Sequence, residues 1–431
     1  MRLWVRGGRV LDAATGLDAQ LDVLIEDGRV ARLSAPGPYG SASDEVVDAR
    51  GCWVVPGLVD LCVHCGQPGH ERRETLAEMV QAACWGGVTT LVIMPDTEPP
   101  VDSPAMVEQL HALAGRDGRV QVHVAAALTR GRQGQELAGM GGLARAGAVA
   151  FTDDDRPVMD SALMRHAMAY AAQLQRPVLG GGLDPGLSRG GLVREGAVSF
   201  RLGLPGIPAE AESVLAARDL ELARLTGCTL HLARVSTLRT LELLAEARRR
   251  GLPVSASVSA HHLLLTWEAL EGYDPSAKLW PPLGSPEDRE GLRRALAEGL
   301  VDCVVSDHRA LAPEEVQGDL ASCPFGAAGL QTLAACVLGE MVHEGALEPL
   351  QAVRAVTWAP ARLLGLPAGT LQEGARADVV VFDPARRWVV EPTTWPAGGR
   401  NSPLAGRPMR GQVVATIAGG RLVMRDGQLC G

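Results

Sequence analysis

Two rhythms of apolar residues alternate along this chain. Short β-type runs recur at 59–63, 88–94, 120–126, 147–152, 177–181, 228–234, 253–258 and 301–307. Between them lie stretches in which Leu and Ala return every three or four residues with charges on the opposite face, at 105–114, 161–174, 210–226, 238–250 and 287–298. The first rhythm is that of buried parallel strands and the second that of amphipathic helices. Strand and helix taking turns in this way predict an α/β fold, a (β/α)8 TIM-type barrel whose reactive groups stand at the C-terminal ends of its strands. The ends of the chain read differently. Leu3–Leu11 and Leu21–Val30 are strands broken by Glu26-Asp27-Gly28, a turn that tolerates the left-handed backbone a tight hairpin needs. Ala377–Asp383 and Val413–Val423 repeat the pattern near the other end. We therefore expect residues 1–55 and 360–431 to form one composite β-sandwich domain around a central unit at 56–359.

Bulk properties narrow the function classes. The 431 residues are 46% hydrophobic and 21% charged, with no apolar run long enough for a bilayer. The start, Met1-Arg2-Leu3-Trp4, lacks the layout of a signal peptide. A net charge of −9 offers no basic face to nucleic acid. The nine cysteines, scattered among apolar residues, suit reduced thiols and a cytoplasmic chain.

The chemistry is expected around Val59-Asp60-Leu61-Cys62-Val63-His64-Cys65-Gly66-Gln67-Pro68-Gly69. Side chains two apart on a strand point the same way, so Cys62 and His64 share one space while Cys65 turns to the other side. Further ordered motifs are Gly86-Gly87-Val88-Thr89-Thr90, Met94-Pro95-Asp96-Thr97-Glu98-Pro99-Pro100, Phe151-Thr152-Asp153-Asp154, His261-His262-Leu263, Pro281-Pro282-Leu283, Ser306-Asp307-His308, Gly329-Leu330-Gln331-Thr332 and Arg400-Asn401-Ser402-Pro403-Leu404. On these residues the chain resembles the dihydroorotase family of amidohydrolases over nearly its whole length. The resemblance implies a barrel carrying one or two zinc ions on a His-x-His pair, an Asp, two further His and a last Asp. Carried across, His64, Asp153 and Asp307 are present, while Cys62, Gly181 and Arg234 stand where the family writes His. The substrate-gripping positions are replaced too, by Gly66, Asp96, Trp280 and Leu311.

An arginine offers donors only and stays charged, so at a ligand position it opposes a metal. We expect Arg234 to lie between Asp153 and Asp307 and to supply the charge an ion supplies elsewhere. Asp96 is expected to repel an anionic substrate, and Trp280 to fill its place. These replacements predict an inactive dihydroorotase-like chain, with Asp307 a vestige and no cofactor. Such a chain resembles the noncatalytic chains that associate with aspartate carbamoyltransferase, and this implies a catalytic chain of that enzyme as partner in pyrimidine biosynthesis and a homo-oligomer within a hetero-oligomer. Loops 183–208 and 309–325 are the candidate contacts.

Two alternatives stay open. One is an active cyclic amidohydrolase with an altered site, in which Cys62, His64 and Asp307 hold a single zinc. The other is a small-ligand binding module using the remnant pocket. Bland readings suit the remaining motifs. His261-His262 is a framework pair in the family, Arg130 and Arg132 read as solvated loop charges, Gly180-Gly181-Gly182 as a relaxed strand end, and Asp153-Asp154-Asp155 as a loop with salt bridges.

Overall fold

Eight short parallel strands curl around one axis, and the residues that line them set where the chemistry lies. The computed structural model describes residues 2–37, 43–397 and 399–430. The strands are β1 (Leu58–His64), β2 (Val88–Ile93), β3 (Gln121–Ala126), β4 (Ala150–Phe151), β5 (Val178–Gly181), β6 (Leu230–Ala233), β7 (Val254–Ser259) and β8 (Cys303–Val305). Each pairs in parallel with its neighbour, from β1 round to β8. The chain then runs on from β8 into His308–Arg309, which pairs with Val63–His64 and closes the ring. The expected (β/α)8 barrel is therefore the observed one.

Strand β1 is buried along its whole length, as parallel strands covered on both faces must be. Val59, Leu61 and Cys62 point inward with Val92, Ala125, Ala150, Leu179 and Val305, while Leu58 and Val63 join the layer between strands and helices. Inward Leu61 followed by inward Cys62 breaks strict alternation, and the register of β1 against β2 slips between Asp60 and Val63. Asp60, wholly buried, fixes that slip by accepting the N–H groups of Cys62 (3.2 Å) and Ser306 (3.2 Å). Burial pushes its pKa up to about 6. The result brings Cys62 and His64 to the mouth together with the residues that follow β8.

The amphipathic stretches form helices at Pro104–Asp117, Ser161–Gln173, Glu210–Thr226, Leu238–Arg249 and Pro286–Ala297. Leu76–Gly86 is a further helix that periodicity does not disclose. Eight of its eleven residues are buried, so it has almost no polar face to contrast with its apolar one.

The two ends of the chain meet in a second sheet. Trp53–Pro56 pairs antiparallel with Val379–Val389, which continues to Pro408–Ala418 and Arg421–Arg425. On the other side Arg2–Asp12, Leu17–Glu26 and Arg29–Ser34 complete the order. The hairpin turn at Asp27 and Gly28 has φ of 49° and 78°, the left-handed backbone that residue pair allows. Its own core joins Leu3, Val5, Val23 and Ile25 to Val379, Val381, Ala415 and Ile417. The helix Trp358–Leu364 spans the expected boundary at 360, and its Ala359, Ala361 and Leu364 plug the base of the barrel. No described helix is long and apolar enough to cross a membrane.

Candidate active site

At the C-terminal mouth, five strand ends deliver a cluster of buried charges. His64 ends β1, Asp96 follows β2, Asp154 and Asp155 follow β4, Arg234 follows β6, and Asp307 and Arg309 follow β8. Arg234 and Asp307 leave their strands in the left-handed region, with φ of 57° and 51°, and Asp154 turns the same way at 54°. Such a kink ends the strand and swings the side chain over the barrel axis.

Arg234 is 4% exposed, and its Nη2 donates to Asp154 Oδ1 at 2.5 Å while Nη1 donates to Asp307 Oδ1 at 2.8 Å. The expectation that it lies between two carboxylates holds with one correction: the partner is Asp154, not Asp153. Asp153 turns away, accepting the N–H groups of Leu128 (2.8 Å) and Thr129 (3.1 Å) and the Thr129 hydroxyl. It ties the end of β4 to the loop after β3, and burial raises its pKa. Three aspartates in a row cannot be told apart by type, and the left-handed turn at Asp154 decides which one faces the centre.

Arg309 was not anticipated. Its Nη2 lies 3.3 Å from both Asp96 Oδ2 and Asp154 Oδ2, and Nη1 lies 3.2 Å from Asp155 Oδ2. The same Nη2 is 2.9 and 3.4 Å from the two ring nitrogens of His64, so the guanidinium lies against the ring. Arg132 is not a solvated loop charge either. It is 6% exposed, donates to the carbonyl of Asp153 (2.9 Å) and pairs with Asp155, while Arg130 stays in solvent. Four carboxylates, Asp96, Asp154, Asp155 and Asp307, thus face Arg132, Arg234, Arg309 and His64.

His64 Nδ1 donates to Asp96 Oδ2 at 2.9 Å, and Nε2 is 3.6 Å from Asp307 Oδ1. Burial and Arg309 press its pKa down, but Asp96, Asp154 and Asp307 outweigh them and hold it well above the usual value. Asp96 and Asp307, despite burial, are held below the usual carboxylate range, the first by His64 and Arg309 and the second by Arg234 and His64. With His64 protonated the cluster balances, four anions against four cations. Asp96 is therefore not the bare repulsive charge expected of it.

The expectation of no cofactor is not supported, and the cluster fits the alternative of a single zinc, with Asp154 added to the expected Cys62, His64 and Asp307. Cys62, His64 and Asp154 each bring a donor atom within 4.8 Å of the others. Asp307 joins them, with Oδ1 3.6 Å from Cys62 Sγ, which is itself 3.8 Å from His64 Nε2. Thiolate, imidazole and carboxylate form a set that fits one zinc-like ion. They do not fit two. Gly181 has φ of 118°, and a Cβ there would meet the Ala233 carbonyl at 2.8 Å, so this backbone accommodates no ligand side chain. Arg234 fills the other position. Burial pushes the Cys62 thiol up to about 11, so a ligand there has to give up its proton to the ion.

The remaining replaced positions serve the frame. A Cβ on Gly66 would collide with the carbonyls of Glu74 and His70, because the loop after β1 folds onto it. Trp280 stacks edge-on with Phe325 at 5.0 Å and packs near Leu183, Ile207 and Ala211. Leu311 is buried, and its N–H donates to Asn401 Oδ1 at 3.0 Å. Asn401 in turn donates to the carbonyls of Arg309 (3.1 Å) and Gly326 (3.0 Å), so it clamps the segment that carries Arg309. His261 and His262 are buried, the second against Ser259 Oγ at 2.8 Å. The loops after His64 and Arg309 flank a cleft of about 480 Å³ bordered by Arg72, Arg73, Glu314 and Glu315.

The Dihydro-orotase-like family profile matches residues 51–240, and the Amidohydrolase family profile matches 327–424. A protein of Pelotomaculum thermopropionicum named dihydroorotase is 46% identical over 426 residues, 99% of each chain. Its namesake in Syntrophus aciditrophicus is 39% identical over 99% of this chain and 100% of its own. Among solved structures, the L-hydantoinase (dihydropyrimidinase) of Arthrobacter aurescens superposes with a TM-score of 0.89 at 25% identity, covering 100% of this chain and 97% of that one. The dihydropyrimidinase of Brevibacillus agri, at 22% identity and a TM-score of 0.85 over 100% and 96% of the two chains, shares the fold. Full-length kinship with chains named dihydroorotase overturns the expectation of an inactive assembly subunit, and with it goes the reason for expecting a carbamoyltransferase partner.

Proposed function

The chain belongs to the dihydroorotase family of amidohydrolases, and from that premise we propose that it catalyses reversible hydrolysis of a cyclic amide of the dihydroorotate class at the barrel mouth. One observation carries this reading: the ionised Asp307 carboxylate lies 3.6 Å from both Cys62 Sγ and His64 Nε2, in the space the strand ends enclose. Cys62, His64 and Asp154 are the residues to hold one zinc ion. When bound, the ion supplies polarisation of the amide carbonyl and a more acidic water.

The chain's own groups do the rest. Asp307, whose carboxylate stands beside Cys62 and His64, takes up a proton at Oδ and returns it to the amide nitrogen as the ring opens. Arg309, with 17% of its side chain exposed, is the cation that meets a substrate carboxylate from the solvent side. His64, held between Asp96 and Asp307, fixes the position of both carboxylates. A cytoplasmic setting goes with this reading, since all nine cysteines are unpaired.

Ring opening of dihydroorotate and closure of carbamoyl aspartate, each assayed with and without added zinc, test the proposal. We expect turnover that is lost in Asp307→Asn and in Asp154→Asn. Absence of turnover on these substrates, on hydantoin and on dihydrouracil, with or without the metal, overturns it.

A further inference from the structure

Three of the four side chains that could hold one ion, Asp154, Asp307 and His64, are already in contact with a side chain that cannot be a ligand. The guanidinium of Arg234 holds Asp154 at 2.5 Å and Asp307 at 2.8 Å, and its Nη1 is 3.4 Å from His64 Nε2. Its fit is incomplete, because the buried Nε has no hydrogen-bond partner. An unpaired N–H in so dry a place is a cost that the two ion pairs offset.

We propose that Arg234 and a divalent ion are alternative occupants of a single seat. The guanidinium neutralises Asp154 and Asp307 when the ion is out, and the ion enters only as Arg234 withdraws. This rests on the reading of Cys62, His64 and Asp154 as donors, and it adds that the chain carries its own competitor for them. Metal affinity is then set by the difference between two cations rather than by the donors alone. Two charge-assisted hydrogen bonds must be given up for the ion to enter, which weakens binding by about a hundredfold or more.

Cobalt(II) titrated into the full-length, metal-free protein tests this by two readouts besides activity: ions bound per chain, and the sulfur-to-cobalt absorption that a Cys62 thiolate on the ion produces. We expect weak binding in the unaltered chain, and in Arg234→Gln one ion per chain bound about a hundredfold more tightly. The absorption band disappears when Cys62→Ser is added. Arg234→Lys keeps a cation and stays near the parent affinity. Should Arg234→Gln fail to fold, Arg234→Leu, which brings neither a charge nor a ligand, replaces it and gives the same gain. Tight binding in the parent chain with the Cys62 band, and no gain on removing the arginine, overturns the competition while leaving the donors in place. No band and no bound ion in any variant overturns the donor assignment and the competition with it. Turnover is not read here, so the hydrolase reading stands or falls separately.

Discussion

Replacing Arg309 by methionine probes the charge balance at the barrel mouth, because methionine keeps an unbranched apolar stem and removes the guanidinium with its charge and donors. Arg309 contacts Asp96 and Asp154 at 3.3 Å and Asp155 at 3.2 Å, and its carboxylate partners are between 2% and 26% exposed. Removing one partner of a buried ion pair costs about 3–5 kcal/mol, since it strands the opposite charge. A chain of 431 residues has an unfolding entropy on the order of 0.9 kcal/mol/K, so this corresponds to a fall in Tm of roughly 3–6 °C. Adding Asp155→Asn removes one stranded charge, and the double variant is expected to regain about 1–3 kcal/mol relative to the sum of the single changes. Thermal and urea unfolding of the four chains of this cycle, at neutral pH and fixed salt, measure it. A loss below about 1 kcal/mol for Arg309→Met, or strict additivity with Asp155→Asn, refutes the claim that these groups form one paired cluster.

Asp153→Asn and Asp154→Asn separate neighbouring aspartates: the first is expected to cost about 1–3 kcal/mol of stability with metal stoichiometry unchanged, the second to lower metal affinity sharply. Equal metal binding in both would show that the centre is assigned to the wrong aspartate. Asn401→Ala strips partners from the backbone of Leu311, Arg309 and Gly326, for an expected loss of about 2–4 kcal/mol in urea unfolding together with a raised KM; an unchanged KM argues against its holding Arg309 in place. His231, enclosed by the hydroxyls of Ser255 and Ser257, is pushed down to about 3 by burial. The unfolded chain, with an ordinary value of about 6.5, then binds more protons between those limits, so stability is full above that window and falls with pH by up to about 1.4 kcal/mol per unit. His231→Asn should flatten this slope between pH 6.5 and 4, and identical slopes would refute the assignment.

The barrel was legible because its strands are buried on both faces and so are written as unbroken apolar runs, with helices between them that keep one polar face. Leu76–Gly86 escaped since burial on nearly every side erases the contrast that periodicity needs. At the site, Cys62, His64, Arg234 and Asp307 could be placed from strand alternation and family register. Arg309 could not. It sits in what reads as a loop, and only the pairing of His308–Arg309 with Val63–His64 turns it toward the centre. Arg132 was misread for a related reason: its left-handed backbone, φ 55°, folds a loop charge back under Asp153. Counting the lost substrate grips at Gly66, Asp96, Trp280 and Leu311 suggested a dismantled pocket. The count missed that Asp96 is neutralised by His64 and that Arg309 brings a guanidinium back to the same space.

The claim on which the account turns is that the Asp307 carboxylate moves a proton during cleavage of a cyclic amide. Initial rates of dihydroorotate ring opening, measured side by side for the parent chain and Asp307→Asn at saturating zinc, test it directly. The account expects measurable turnover in the parent and a fall of about 100-fold or more in kcat for the variant, with the fold retained. Equal rates in the two chains, or none in either, would contradict it.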